Sequence, residues 1–234
     1  MEESIAIITA RGGSKRIPRK NIKEFCGKPI IQYSIESALD SGVFSEIMVS
    51  TDDREIAEIA IKSGAKVPFF RSSKTSDDIS TTSDVIKEVL LKYHDLGKEF
   101  DYGCCIYPTA PFITKSLLVE AMQNLKEQHV NTVLPIVAFS FPPQRAFVIR
   151  NSFVEMQFPL NLNIRSQDLE PIYHDAGQFY AFNVLHFLKE GKLIGTKVLP
   201  IMRSNLEVQD IDNDDDWKIA EMKYQLMIRN NSIN

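Results

Sequence analysis

Cysteine is scarce in this chain, and long apolar runs are missing. Only Cys26, Cys104 and Cys105 occur among 234 residues. The number is odd and two are neighbours inside an apolar run, which argues against a disulfide framework and for reduced core thiols. No stretch approaches the ~18 or more uncharged apolar residues of a transmembrane helix, so no membrane span is expected. The opening Met1-Glu2-Glu3-Ser4 lacks the basic segment of a secretory leader, and a cytoplasmic location is the expectation. A surplus of positive charge is missing too: 27 Lys and Arg face 31 Asp and Glu, a formal net charge of -4. Duplex binding needs a basic surface, so a nucleic-acid polymer is not expected as a partner. Any anion must be held locally. Internal repeats, low-complexity stretches and flexible linkers are also lacking.

What is present is ordinary globular composition, 44% hydrophobic and 25% charged, at a length that allows one or two domains. Short β-branched or apolar runs alternate with amphipathic stretches of helix length, the pattern of an α/β protein with a mainly parallel sheet. Residues 4–9 read as a buried strand and 30–38 as a helix with Pro29 at its first turn. A strand over 46–50, a helix over 53–63 stopped by Gly64, and a strand over 66–70 complete a βαβαβ unit. Thr82 or Ser83 is the expected cap of a helix whose apolar positions are Ile86, Val89, Leu90 and Tyr93. A strand over 103–107, a helix over 115–127 and a strand over 132–138 follow. Between Phe139 and Tyr180 the pattern changes to prolines (142, 143, 159 and 171), aromatics and short strand-like pieces such as 147–149. Residues 139–180 therefore read as a small inserted lobe within a single domain, 1–234. It is too small for its own core and must pack on the main body or on a second copy. Phe139, Phe141 and Phe147 fit dimer contacts or core equally well. The α/β pattern resumes with strands over 178–182 and 197–202 and a helix from about 215 to 228, one face of which carries Trp217, Ala220, Tyr224 and Ile228.

Two charged clusters carry the chemistry. The loop after the first strand, Ala10 to Asn21, holds Arg11, Lys15, Arg16, Arg19 and Lys20 with Gly12 and Gly13. It lies beyond the carboxyl end of a strand, where open α/β sheets bind ligands, and its glycines let N–H groups approach an anion. It matches neither the Walker A loop nor the Gly-x-Gly-x-x-Gly fingerprint. The alternatives are a phosphate cradle and a solvated basic loop. The second cluster runs from Asp210 to Asp216. On an extended strand Asp210 and Asp212 point to one side while Ile211 faces the core, and two carboxylates plus substrate phosphates are a usual seat for Mg²⁺. Asp214, Asp215 and Asp216 sit at a helix start and read as capping and dipole compensation.

Asp210, Asp212, Asp214 and Glu221 also match positions 1, 3, 5 and 12 of an EF-hand loop. That reading lacks the glycine at position 6, where Asp215 stands, and a preceding helix, since Pro200 lies in a strand-like segment. His94, His129 and His186 show no zinc spacing. A basic loop early and an acidic pair late together suggest nucleotidyl transfer, in which cations hold a triphosphate and a metal neutralises charge at the α-phosphate.

The motif Ala10-Arg11-Gly12-Gly13-Ser14-Lys15 with Pro18, Lys20-Asn21 and Gly27-Lys28-Pro29 resembles the signature of the cytidylyltransferases that make CMP-sialic acids. Further matches are Ser50-Thr51-Asp52-Asp53, Gly64-Ala65 with Arg71, Pro108-Thr109-Ala110-Pro111, and Asp210-Ile211-Asp212 before Asp216-Trp217. Within that family, residues 173–180 (Tyr-His-Asp-Ala-Gly-Gln-Phe-Tyr) and Tyr107 are similar to the branch that acts on pseudaminic acid. The resemblance implies a Rossmann-like three-layer sandwich of the nucleotide-diphospho-sugar transferase type and a Mg²⁺-dependent homodimer whose lobe reaches the partner's site. It implies CTP and an acidic nonulosonic sugar as substrates, and the CMP-sugar and pyrophosphate as products. By the same resemblance, Arg11 and Lys20 bind and polarise the triphosphate, with Gly12, Gly13, Ser14, Asn21, Arg71 and Thr82 on the nucleotide side. Asp210 and Asp212 are the implied metal ligands. Tyr107, Arg165, Gln167, His174, Asp175, Gln178 and Tyr180 are implied to line the sugar side. Arg165 suits a bidentate pair with a sugar carboxylate. His174 beside Asp175 reads either as a general base or as a polar pocket wall. The same chemistry on N-acetylneuraminic acid, legionaminic acid or Kdo is the alternative. So is a nucleotide-binding regulator without catalysis.

Overall fold

A computed structural model of the chain describes residues 2–77 and 79–231; Met1, where the expected leaderless start begins, lies outside them. The central strands are apolar at nearly every position because helices cover both faces of the sheet. In β1 (Ser4–Thr9), Ala6 and Ile8 point into one helical layer while Ile5 and Ile7 point into the other. After a loop and a hairpin of β2 (Glu24–Phe25) and β3 (Lys28–Pro29) come α1 (Ile30–Ser41) and β4 (Glu46–Ser50). Helix α2 (Arg54–Lys62) follows, capped by Asp53, whose Oδ1 accepts the Ile56 N–H at 3.0 Å. Next are α3 (Thr82–Asp95), β5 (Tyr102–Ile106), α4 (Lys115–Glu127) and β6 (Thr132–Ala138). A hairpin of β7 (Phe147–Arg150) and β8 (Phe153–Met156) stands apart from the main sheet. The chain returns through β9 (Tyr173–Asp175), β10 (Phe179–Asn183), α5 (Val184–Glu190), β11 (Val198–Arg203) and α6 (Asp214–Asn231).

The sheet order is β4-β1-β5-β10-β6-β11, with β9 also on β6. Strands β1, β4, β5, β6 and β11 run one way; β9 and β10 run against them, so the mainly parallel sheet is mixed near its middle. Apolar residues of α1, α2 and α4 pack on one face and those of α3 and α5 on the other, giving three layers. Cys104 and Cys105 consequently face opposite layers, both fully buried, and all three cysteines are free thiols. At Gly103 a side chain would stand 2.3 Å from the ring of Phe182, its partner across β5 and β10, so only glycine admits that ring. No helix among the described residues is long and apolar enough to cross a membrane.

Several boundaries differ from the expectations for physical reasons. The strand expected over 66–70 is reduced to one bridge, Met48 with Lys66. Pro68 lacks a ladder donor, and the chain turns inward so that the Arg71 N–H reaches Thr51 O at 2.8 Å. Thr81, not Thr82 or Ser83, caps α3 in a capping box with Asp84. Residues 173–175 and 179–183 belong to the main sheet, so the separate lobe is shorter than 139–180. Within it Phe139, Phe141 and Phe147 are exposed, so they are not core of this chain. Asp210 and Asp212 lie outside any strand, yet Ile211 between them is fully buried as expected. Asn213 starts α6, its Oδ1 accepting from the N–H groups of Asp215 and Asp216, while Asp216 accepts in return from Asn213 N–H at 3.1 Å. Asp214 and Glu221 both fall in the continuous α6, which rules out the EF-hand loop.

Candidate active site

The basic loop leaves the carboxyl end of β1 and passes over the turn between β4 and α2. The Gly12 N–H donates to Asp52 Oδ1 at 2.9 Å, and a side chain at residue 12 would lie 2.8 Å from Asp53 Oδ2. Glycine is required there by close approach, and its amide serves the fold, not an anion; at Gly13 the space is open. Arg19, in left-handed backbone (φ 54°), pairs with Asp53 and Glu55 at the start of α2. The Arg19 hydrogen bond holds the Asp53 carboxyl down at about 2. Arg19 is thereby removed from the five expected anion-binding cations. Arg11, Lys15, Arg16 and Lys20 remain, lining with Ser14 and Asn21 a cavity of about 410 Å³ closed by Tyr107, Pro108 and Thr109. Asn21 is buried, and its Nδ2 donates to Arg11 O at 2.8 Å, bracing the loop.

Thr9 and Arg11 are shared with a second cavity, of about 240 Å³, lined also by Arg71, Thr75, Asp77, Ser80 and Thr82. Arg71 is buried, its guanidinium donating to Ser50 O at 2.7 Å and to Ser50 Oγ at 3.2 Å, and burial lowers its pKa. Arg11 donates to Asp77 O at 2.9 Å. Arg71 and Thr82, implied on the nucleotide side, line this cavity, and Glu88 of α3 stands behind it unforeseen, although its i,i+4 spacing to Lys92 is a signal the sequence offers. Glu88 accepts from Ser72 N–H and Ser72 Oγ, both at 2.8 Å, from Thr75 Oγ1, and from Lys92 at 2.6 Å. Burial opposes its ionisation, but these donors, Lys92 foremost, hold its carboxyl at about 2.

A carboxyl held below its unfolded value of about 4.5 contributes stability fully above that pH and loses it as the pH falls toward about 2. Glu88→Gln is expected to cost on the order of 3 kcal/mol at neutral pH. The urea midpoints of variant and parent should converge as the pH falls through that window. A gap independent of pH would refute the assignment.

The acidic stretch approaches the basic loop from the other end of the chain. Lys20 Nζ donates to Ile211 O at 2.7 Å, and Arg16 pairs with Asp212 Oδ1 at 2.8 Å. Burial lowers the Lys20 pKa while Asp212 and Asp210 oppose it; burial and Asp212 raise that of Asp210. Among the described residues no group of three or more His, Cys, Asp or Glu forms a metal cage. Two neighbouring carboxylates beside a cavity lined by cations suit a hard cation whose remaining oxygen ligands come from a phosphate, with Asp212 exchanging its Arg16 pair for the ion.

The other wall is carried by the break between β9 and β10. At Ala176 to Gln178 the pairing with β6 is interrupted opposite Pro135, and Gly177 takes φ +63°, where an added side chain would lie 4.0 Å from Asp210 Cγ. Tyr180 donates to Asp175, whose Oδ1 accepts the Gly177 N–H at 2.8 Å. Tyr107, which lines the larger cavity, meets Tyr180 edge to face with ring centroids 5.8 Å apart, which places it beside the Tyr180–Asp175 pair. Gln178 is buried and donates to Glu207 O at 2.8 Å, a brace and not an open pocket wall. His174 is exposed, stacks near Phe139 at 4.7 Å, and has Nδ1 2.9 Å from Asp175 O. Arg165 and Gln167 are not brought to this site within one chain. Both are exposed in the lobe, and the Arg165 fork is occupied by Asp168 at 2.8 and 3.3 Å.

Comparison with known proteins matches residues 5–185 to the family model described as Cytidylyltransferase. The chain is 39% identical over 225 residues to a pseudaminic acid cytidylyltransferase of Campylobacter jejuni, covering 96% of this chain and 97% of that one. It is 30% identical to the CMP-N,N'-diacetyllegionaminic acid synthase of Legionella pneumophila, over 95% and 96% of the two chains. A CMP:2-keto-3-deoxy-manno-octonic acid synthetase solved with CTP superposes with a TM-score of 0.69 at 18% identity, over 98% of this chain and 100% of that one. The last shares the fold; the matched region and the first two relatives show descent. The chain is a nucleotidyltransferase and belongs to the cytidylyltransferase family.

Proposed function

We propose that the protein transfers the cytidylyl group of CTP to the anomeric hydroxyl of pseudaminic acid, forming CMP-pseudaminic acid and pyrophosphate. A bond forms between the sugar oxygen and the α-phosphorus, the bond from the α-phosphorus to the bridging oxygen breaks, and the hydroxyl proton is lost to solvent or a nearby base. The observation that supports the substrate is the likeness over nearly the whole chain to pseudaminic acid cytidylyltransferases.

The residues divide the work by charge. Arg11 and Lys20, with Lys15 and Arg16, receive the triphosphate in the larger cavity, while Arg71 and Thr82 bound the smaller one as the seat of the nucleoside. Asp210 and Asp212 hold Mg²⁺, which when bound supplies charge neutralisation at the α-phosphate. Tyr107, Tyr180 and Asp175 present hydroxyls and a carboxylate to the sugar. Arg165, Gln167 and His174 complete that side in a homodimer, with Arg165 exchanging Asp168 for the sugar carboxylate of the partner's site. The exposed apolar hairpin supports this arrangement. We place the reaction in the cytoplasm, where CTP is available.

Purified protein with CTP and Mg²⁺ is expected to release pyrophosphate with pseudaminic acid at least about tenfold more efficiently, in kcat/KM, than with legionaminic acid, N-acetylneuraminic acid or Kdo. Preference for another sugar would reassign the substrate. Release with none of them would sink the enzymatic reading in favour of a nucleotide-binding regulator.

A further inference from the structure

The stretch that carries Asp210 and Asp212 has no ladder to hold it, yet its aim decides whether two carboxylates meet one cation. The chain from Val208 to Asn213 is irregular. Its apolar anchors are Val208, packed with Val137 and Ala176, and Ile211, packed with Trp217. After the acidic pair, Asp216 of α6 accepts the Asp212 and Asn213 N–H groups at 3.0 and 3.1 Å. In the middle, Lys20 holds Ile211 O. Ahead of the pair, the ammonium of Lys223, two turns further along α6, donates to Val208 O at 2.8 Å and to Gln209 Oε1 at 2.9 Å.

We infer that Lys223 is a positioning residue for the acidic pair: the same helix grips the stretch on both sides, and Lys223 fixes the backbone from which Asp210 projects. The economy of the contact is informative. Lys223 is half-buried and pairs with no carboxylate among the described residues, although burying an ammonium is costly and an apolar side chain would pack there more cheaply. An ammonium carries three donors and no acceptor, so it fits a site made only of oxygen lone pairs, as Val208 O and Gln209 Oε1 provide. Burial lowers its pKa, in keeping with that placement. Groups that orient ligands from behind typically carry a 10–100-fold effect on activity or metal affinity.

The consequence for turnover rests on Asp210 and Asp212 being the metal ligands; the consequence for the backbone does not. Lys223→Met and Lys223→Gln are expected to lower kcat about 10- to 100-fold with less than about threefold change in the Kd for CTP measured without metal. Amide hydrogen exchange over residues 208–213 should quicken about tenfold, as expected for one lost hydrogen bond, with exchange in the sheet unchanged. Lys223→Arg, which keeps the donors, should restore most of both. Unchanged exchange over 208–213 would overturn the inference, as would quickened exchange throughout the protein or failure of the arginine to rescue. Quickened local exchange with normal turnover would retain the grip and overturn its role in positioning the pair. An active Asp212→Asn protein would instead sink the metal reading.

Discussion

Replacing Asp212 by asparagine is expected to reduce kcat by about 10²–10³-fold or more, the usual cost of losing one group that stabilises developing charge. Folding should be nearly untouched. The Asp212 side chain is 41% exposed and its recorded ion pair, to Arg16, has a guanidinium 70% exposed, a pair of the kind that contributes little to stability. The backbone N–H of Asp212, which Asp216 caps, survives the substitution. The measurement is pyrophosphate release at saturating CTP and sugar, set beside a thermal melt and CTP binding by calorimetry. Lost turnover with an intact melt is the expected result. Turnover within a few-fold of the parent would remove Asp212 from the metal site.

The second large effect concerns the hairpin. Phe147 lies across from Met156 and Ile149 from Val154, so these four share one face of β7 and β8. Ile149 is 76% exposed and Val154 66%, and Phe147 is similarly open. An isolated two-stranded hairpin is marginal in water, and an apolar face of this size on it requires a partner surface. Ile149→Glu combined with Val154→Glu places like charges opposite each other on that face. If the proposed homodimer forms through this face, sedimentation equilibrium should show a dimeric parent and a monomeric variant. Because β7 and β8 pair with each other and, among the described residues, not with the main sheet, that sheet should keep its melt and its CTP affinity, while on the proposed shared site sugar-dependent pyrophosphate release falls at least about 100-fold with the loss of Arg165, Gln167 and His174 from it. A parent that is monomeric and active would refute the shared site.

Much of the fold was legible because each central strand is buried on both faces and each helix on one, which prints two distinct periods on the sequence. Strands β1, β4, β5 and β6 and helices α1 to α4 fall within a few residues of expectation for that reason. The failures have local causes. Residues 66–70 have strand composition, but Pro68 and the turn toward Arg71 outweigh it. In the site, residue types were legible and their allegiances were not. Arg19 reads like its four cationic neighbours until the left-handed backbone turns it onto Asp53 and Glu55. Gln178 reads as a ligand group and is a buried brace. Glu88 reaches Ser72 and Lys223 reaches Val208 across separate elements, contacts that no spacing rule encodes, whereas the Glu88–Lys92 pair at i,i+4 is open to one. Arg165 is implied by the resemblance alone, and within one chain it lies on the lobe, outside the residues that line either cavity.

The hydrogen bond from Lys20 to Ile211 O joins groups 191 positions apart. Closing so long a loop is slow, because chain entropy must be surrendered before the contact rewards it. During synthesis β4, β1 and β5 can pair as they emerge, but β6 must wait for β10, which lies between it and β5, and the acidic pair follows later still. The protein is therefore structured well before it is competent, and an interrupted chain would hold cations around a vacant centre without the carboxylates that discipline them. Catalytic competence therefore waits on the docking of residues 210–212 against the basic loop, a long-range closure that is distinct from pairing of the sheet.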